Sequence, residues 1–215
     1  SQLARSAAQL AQQARALDAL ADAWLAQHAS GLTLALQALQ ALEDATLQAV
    51  LSRWLTLAGM PPLPVRYWPR LRRELLHARE DAAPEIRWAD ASLRRYRQTL
   101  YLLAADQPLA IPATVWPDPR QPLVWEGRHW PPVALPDDHP LLARPWRLAP
   151  RTGGERWQPV GRKHHVTLKH WCQEQGIPPW QRQALTCVWA GDEVVMVAMP
   201  DGSVSLGAQL YQQAN

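Results

Sequence analysis

Large apolar residues recur every seventh position at the start of the chain: Leu3, Leu10, Leu17 and Trp24, with Ala7, Ala14 and Ala21 between them. That spacing predicts a helix over residues 3–27 whose narrow stripe packs on a neighbouring helix. After Gly31 the pattern shifts to alternation at Leu32, Leu34 and Leu36, the period of a short strand. Asp44 is placed as the N-cap of the next helix. Leu47, Val50, Leu51, Trp54 and Leu55 give that helix one apolar face before Gly59 and Pro61-Pro62 end it. A third helix starts near Trp68-Pro69 and turns Leu71, Leu75 and Leu76 inward. Residues 81–84 read as a turn, and 85–88 and 93–103 as extended segments.

From 107 to 146 the prolines are too dense for a helix. Trp116, Trp125, Trp130 and Trp146 are too many for a disordered linker. Short strands and turns that partly link two domains are expected there. Further on, 163–175 read as a helix ended by Gly176, and 178–185 as a second short helix. A meander follows over 187–190, 193–199 and 203–206, with turns at Gly191-Asp192 and Pro200-Asp201-Gly202. The expected fold class is α+β. A helical N-terminal domain with a short sheet would occupy 1–106, and a Pro/Trp-rich connecting segment 107–146. A small β-rich C-terminal domain with one or two helices would occupy 147–215.

At 215 residues, 47% apolar and 19% charged, the chain can bury one good core or two small ones. No apolar run approaches the roughly 20 residues that span a bilayer, and no basic-then-apolar leader opens the chain. Two cysteines make no disulfide framework. A cytoplasmic protein without membrane association is the expectation. The first residue, Ser1, stands next to the helical pattern and no Met precedes it, as expected of a fragment or a processed product.

Charge changes the picture. Residues 151–182 hold both lysines, Lys163 and Lys169, with Arg151, Arg156, Arg162 and Arg182, against only Glu155 and Glu174. Six cations less two acids give +4, whereas the whole chain is +3, so the remainder is close to neutral. Such a patch points to a polyanion partner. On a helix over 162–175, Arg162, His165, Lys169 and Gln173 would share one stripe, with Leu168, Trp171 and Cys172 on the buried face. Gly161 before it would let backbone N–H groups approach a phosphate. An ordinary solvated helix face accounts for the same residues.

Arg94-Arg95-Tyr96-Arg97 allows two readings as well. On a strand, Arg95 and Arg97 would lie opposite Tyr96, either meeting RNA or guarding a sheet edge. Arg70, Arg72, Arg73 and Arg79 have Glu74, Glu80, Asp81 and Glu85 nearby for ion pairs. His164, His165, His170 and Cys172 lack zincin spacing, so no metal is expected. Glu155 and Glu174 are expected to orient neighbouring basic groups. Walker, dinucleotide-binding and nucleophile-elbow motifs are absent, so no catalytic residue and no cofactor are assigned to the chain.

Two stretches carry a family resemblance. One is Gly153-Gly154-Glu155, Gly161-Arg162-Lys163-His164, Leu168-Lys169 and Gln173-Glu174-x-Gly176-Ile177-Pro178-Pro179-Trp180-x-Arg182. The other is Ala78-Arg79-Glu80-Asp81-Ala82-x-Pro84, followed by Arg94-Arg95-Tyr96 and Leu100-Tyr101. Together they resemble the C-terminal and middle domains of bacterial tRNA(Ile)-lysidine synthetases, in the family's order. The resemblance implies an ATP-dependent ligase that joins lysine to the wobble cytidine of tRNA(Ile) with a CAU anticodon. ATP with magnesium would be bound by an N-terminal domain outside this chain, so this part alone would be inactive. The residues here would hold the tRNA body and acceptor stem, through Arg151, Arg156, Arg162, Lys163, His164, His165, Lys169, Arg182, Arg94 and Arg95. The alternative is a protein-interaction module, with the stripe of residues 3–24 forming a homodimer.

Overall fold

The computed structural model describes residues 2–79, 82–104 and 112–210. The fold is α+β, and the chain divides into two compact units, 1–107 and 108–215. Among the described residues no helix is long and apolar enough to cross a membrane.

The first unit opens with α1 (Gln2–His28), β1 (Ala29–Ser30), β2 (Thr33–Ala35), α2 (Leu36–Gln40) and α3 (Asp44–Leu57). A 3-10 turn (Val65–Tyr67), the short α4 (Trp68–Arg70) and a π turn (Leu71–Leu76) follow, then β3 (Glu85–Trp88), β4 (Ala91–Tyr96) and β5 (Thr99–Ala104). The strands form an antiparallel sheet in the order β1-β2-β5-β4-β3. The α3 face Leu47, Val50, Leu51, Trp54 and Leu55 joins Leu71, Leu75, Leu76, Leu93, Leu100 and Leu102 in one core. Each such side chain taken out of water contributes about 1.5–3 kcal/mol. Trp54 and Trp88 keep their indole N–H groups paired there, donating to Gly31 O at 3.1 Å and Pro61 O at 3.0 Å.

Four expectations are corrected in this unit. The α1 stripe is a helix, but only Ala21 and Leu25 are buried; Leu3, Leu10 and Leu17 are 83%, 65% and 56% exposed. Helix α1 is held to α3 near its C-terminal end, where Arg53 donates to both oxygens of Asp22 at 2.7 and 2.8 Å. Asp44 is the first helical residue of α3, not its cap; Glu43 holds that place without a side-chain cap bond. Leu36 begins α2 rather than continuing the strand. The segment 93–103 is a hairpin, because Arg97 takes a φ of +53° and reverses the chain between β4 and β5. Glu80 and Asp81 lie outside the described residues.

The second unit comprises β6 (Thr114–Trp116), β7 (Leu123–Trp125), β8 (Arg128–Trp130), a 3-10 turn (Pro140–Ala143), β9 (Trp146–Pro150) and β10 (Arg156–Trp157). Next come β11 (Val166–Thr167), α5 (Leu168–Glu174), α6 (Pro179–Arg182), β12 (Thr186–Ala190), β13 (Glu193–Ala198), β14 (Val204–Leu206) and a last 3-10 turn (Ala208–Leu210). The main sheet runs β11-β10-β13-β12-β9-β6, with β14 beside the end of β13. Among the described residues only β10 and β13 pair in parallel. Alternate residues of β12 go to opposite cores, Val188 and Ala190 to one face and Cys187 to the other. The first face is filled by Trp116, Trp130, Leu141, Trp146 and Leu148. Trp116 stands edge-on to Trp146 at 6.0 Å and to Trp130 at 6.3 Å. The Pro/Trp-rich segment 107–146 thus supplies an edge strand and half of a core as well as a connection.

Candidate nucleic-acid interface

The helix expected over 163–175 is shorter. Residues 158–165 form the loop of a hairpin between β10 and β11, in register Arg156↔Thr167 and Trp157↔Val166. Gly161 takes a φ of +83° in that loop, and Arg162 N donates to Pro159 O at 3.1 Å. Gln158 Nε2 holds the same turn through Arg162 O at 2.7 Å. The helix begins only at Leu168, because Thr167 caps it by accepting from His170 N at 3.2 Å. Leu168, Trp171 and Cys172 are buried as expected, with Trp171 edge-on to Trp157 at 4.8 Å. Lys169 and Gln173 remain on the outer face of α5; Arg162 and His165 come from the loop instead.

The cations differ in what they face. Arg162 Nη2 donates to Glu174 Oε2 at 2.6 Å, and His170 Nε2 lies 3.1 Å from the other oxygen, so Glu174 ties the loop to α5. His165 Nε2 lies 3.6 Å from Glu193, which Arg144 and Gln209 also contact, at 2.7 and 2.9 Å. Burial pushes the Glu193 carboxyl up, but those donors and the nearby His165 hold it below its ordinary value. Arg156, Lys163, His164 and Lys169 are exposed, and among the described residues no carboxylate lies within 4 Å of any of them. They are the groups left to meet an outside anion.

The remaining candidates are internal. Glu155 is 5% exposed and accepts from Thr152 N at 2.6 Å, Gly153 N at 2.5 Å, Thr152 Oγ1 at 3.3 Å and Arg151 Nε at 3.1 Å. Burial alone would raise its pKa; the backbone donors and Arg151 hold the carboxyl below its ordinary value. So Glu155 orders the Gly153-Gly154 loop, and Arg151 is engaged by it. Arg182 is 8% exposed and donates Nε to Ile177 O at 2.7 Å. In the first unit, Arg94 pairs with Glu85 at 2.9 Å. Arg95 is 7% exposed and donates to Leu76 O, Ala78 O and Arg97 O at 3.2, 2.5 and 3.2 Å. Arg182 and Arg95 therefore organise backbone, and Arg151 meets a buried carboxylate, rather than present charge.

One pair escaped sequence reasoning. Arg147, just outside the +4 stretch, lies over the Trp189 ring at 4.5 Å. Its signal was the inward-outward alternation of Trp146 and Arg147 on β9, legible only once β9 is known to be a strand.

This arrangement defines a class: a chain with two units, one helical with its own sheet, the other a small α+β unit with a cationic hairpin loop and helix. Residues 34–101 match the model described as the TilS substrate binding domain, and residues 146–201 that of the TilS substrate C-terminal domain. The chain belongs to the TilS family. Proteins named tRNA(Ile)-lysidine synthase are similar to it. One from Xylella fastidiosa (strain Temecula1) is 38% identical over 176 residues, covering 76% of this chain and 38% of that protein. One from Ralstonia nicotianae is 38% identical over 226 residues, covering 96% and 48%. One from Methylococcus capsulatus is 32% identical over 196 residues, covering 86% and 45%. The chain spans less than half the length of these relatives.

Proposed function

We propose that this chain is the tRNA-gripping part of a tRNA(Ile)-lysidine synthase. The whole protein would use ATP with magnesium to join lysine to the wobble cytidine of tRNA(Ile) with a CAU anticodon, in the cytoplasm. The codon read would change from AUG to AUA. The chemistry is assigned to the portion of the relatives that this chain does not span. The observation that carries the reading is the set Arg156, Lys163 and Lys169, exposed and without a carboxylate within 4 Å among the described residues. Cations on a hairpin loop and a helix face suit the backbone of an A-form stem, which is read by shape and phosphate position. His164 and His165 add donors at the same loop. The test is binding of the chain to tRNA(Ile) over a salt series. Lys163→Ala and Lys169→Ala should each weaken binding and flatten the dependence of log K on log salt by about 0.7–0.9. An unchanged slope in the double variant would remove this face from the interface.

A second reading rests on the exposed Leu3, Leu10 and Leu17 of α1. Their stripe would join two copies or another protein, and that association would hold at high salt. Sedimentation of the chain at low and high salt separates the two readings.

A further inference from the structure

Register places Val115, Arg147 and Trp189 side by side across β6, β9 and β12. Directly paired residues share a sheet face. This is the face whose other end is covered by α5 around Cys187 and Val194. At the β6 end the cover stops: Val115 is 65% exposed, Arg147 is exposed and Trp189 is half-buried. Arg147 lies over the Trp189 ring at 4.5 Å, and among the described residues no carboxylate lies within 4 Å of it. Another arginine at that distance from an indole differs. Arg128 lies 4.5 Å over Trp130 but donates to Met199 O and Gly202 O, so its guanidinium is fixed internally.

A guanidinium resting on an indole with its outer side open is a stacking surface for a flat, electron-rich ring, and its charge suits a nearby phosphate. We propose that the row Val115–Arg147–Trp189 takes one unpaired nucleobase of the bound RNA. The base would stack on the Arg147 guanidinium above Trp189, with Val115 against its edge. This rests on the tRNA reading above and adds a base-stacking subsite for a single-stranded nucleotide. Stacking on such a platform tolerates any base, so the subsite would sense that a nucleotide is unpaired rather than which one it is.

The test compares two RNA hairpins with the same stem, one blunt and one with a short unpaired 3′ extension carrying 2-aminopurine. The 215-residue chain should bind the extended hairpin about five- to a hundredfold more tightly and quench the probe, as expected for one stacked base. Arg147→Lys keeps the charge and loses the planar surface. It should abolish the preference and the quenching while holding blunt-hairpin affinity within about twofold. Trp189→Leu should do the same. Lys163→Ala with Lys169→Ala should weaken both hairpins equally and leave the preference. Binding of both hairpins without preference, or a preference that survives Arg147→Lys, overturns this subsite and leaves the tRNA reading standing. Binding of neither hairpin at low salt overturns both.

Discussion

Glu155 is the keystone of the Arg151–Glu155 loop, and its removal is the sharpest test of how this unit is held. In Glu155→Ala, two backbone N–H groups, the Thr152 hydroxyl and the Arg151 guanidinium lose their acceptor. The glutamate side chain is 2% exposed and that of Arg151 15%, so water replaces little of what is lost. Breaking a buried pair by deleting one partner costs about 3–5 kcal/mol. The second unit, residues 108–215, has an unfolding entropy near 0.23 kcal/mol per kelvin, so Tm should fall by about 13–22 °C. Tryptophan fluorescence is the assay, because eight of the twelve tryptophans lie in this unit.

Glu155→Gln keeps an acceptor and should fall by less. The folded carboxyl titrates below its ordinary 4.5. Its contribution is therefore complete above the unfolded value and is lost as pH falls through the folded one. The Tm gap between wild type and Glu155→Gln should accordingly narrow as pH falls below the ordinary 4.5. A melting point for Glu155→Ala within about 3 °C of wild type, or a gap to Glu155→Gln independent of pH, would refute the reasoning.

Other outcomes follow from the same contacts. Glu174→Gln frees Arg162 and His170 from their shared acid, so tRNA should bind more tightly, with a salt slope steeper by up to about 1; filter binding across salt reads both. Arg95→Ala leaves three carbonyls without their cationic donor and should destabilise the first unit by about 2–4 kcal/mol; urea titration measures this, and tRNA affinity of the folded variant should not change. Burial pushes the Cys187 thiol up to about 12, with the Glu155 charge adding to it, and burial also raises Cys172. Neither should react with iodoacetamide near pH 8 in the native chain, and both should do so in urea; mass spectrometry decides.

The elements that came through in the sequence were those whose signal is local. The α3 face from Leu47 to Leu55 has a helical period and buries as that period requires. Gly176 ends α5, and the Gly191-Asp192 turn separates β12 from β13. The hairpin within 93–103 was hidden because its turn, Arg97-Gln98, contains no Gly, Pro, Asn or Asp. Arg162 and His165 fall at helical spacing from Lys169, so the sequence pattern extends the cationic helix beyond its real start at Leu168. The start signal is Thr167, whose side chain caps α5, and Gly161 belongs to a loop.

The location of the positive patch was legible, since charge needs no partner to be counted. Its division into engaged and open cations was not. The acids that decide it stand far off in the chain: Glu174 twelve residues from Arg162, and Glu193 beyond two helices and two strands from His165. Arg94 and Arg95 show the same limit, one neutralised by Glu85 across the β3–β4 ladder and the other buried against carbonyls of the preceding turn.

The most direct test of the central claim is a comparison of affinities of this chain for unmodified tRNA(Ile) and for tRNA(Met) at equal salt. Tighter binding of tRNA(Ile) is expected, with loss of that binding when Arg156, Lys163 and Lys169 are all changed to Ala. Weak binding that is indifferent to the tRNA and to the triple change would contradict it.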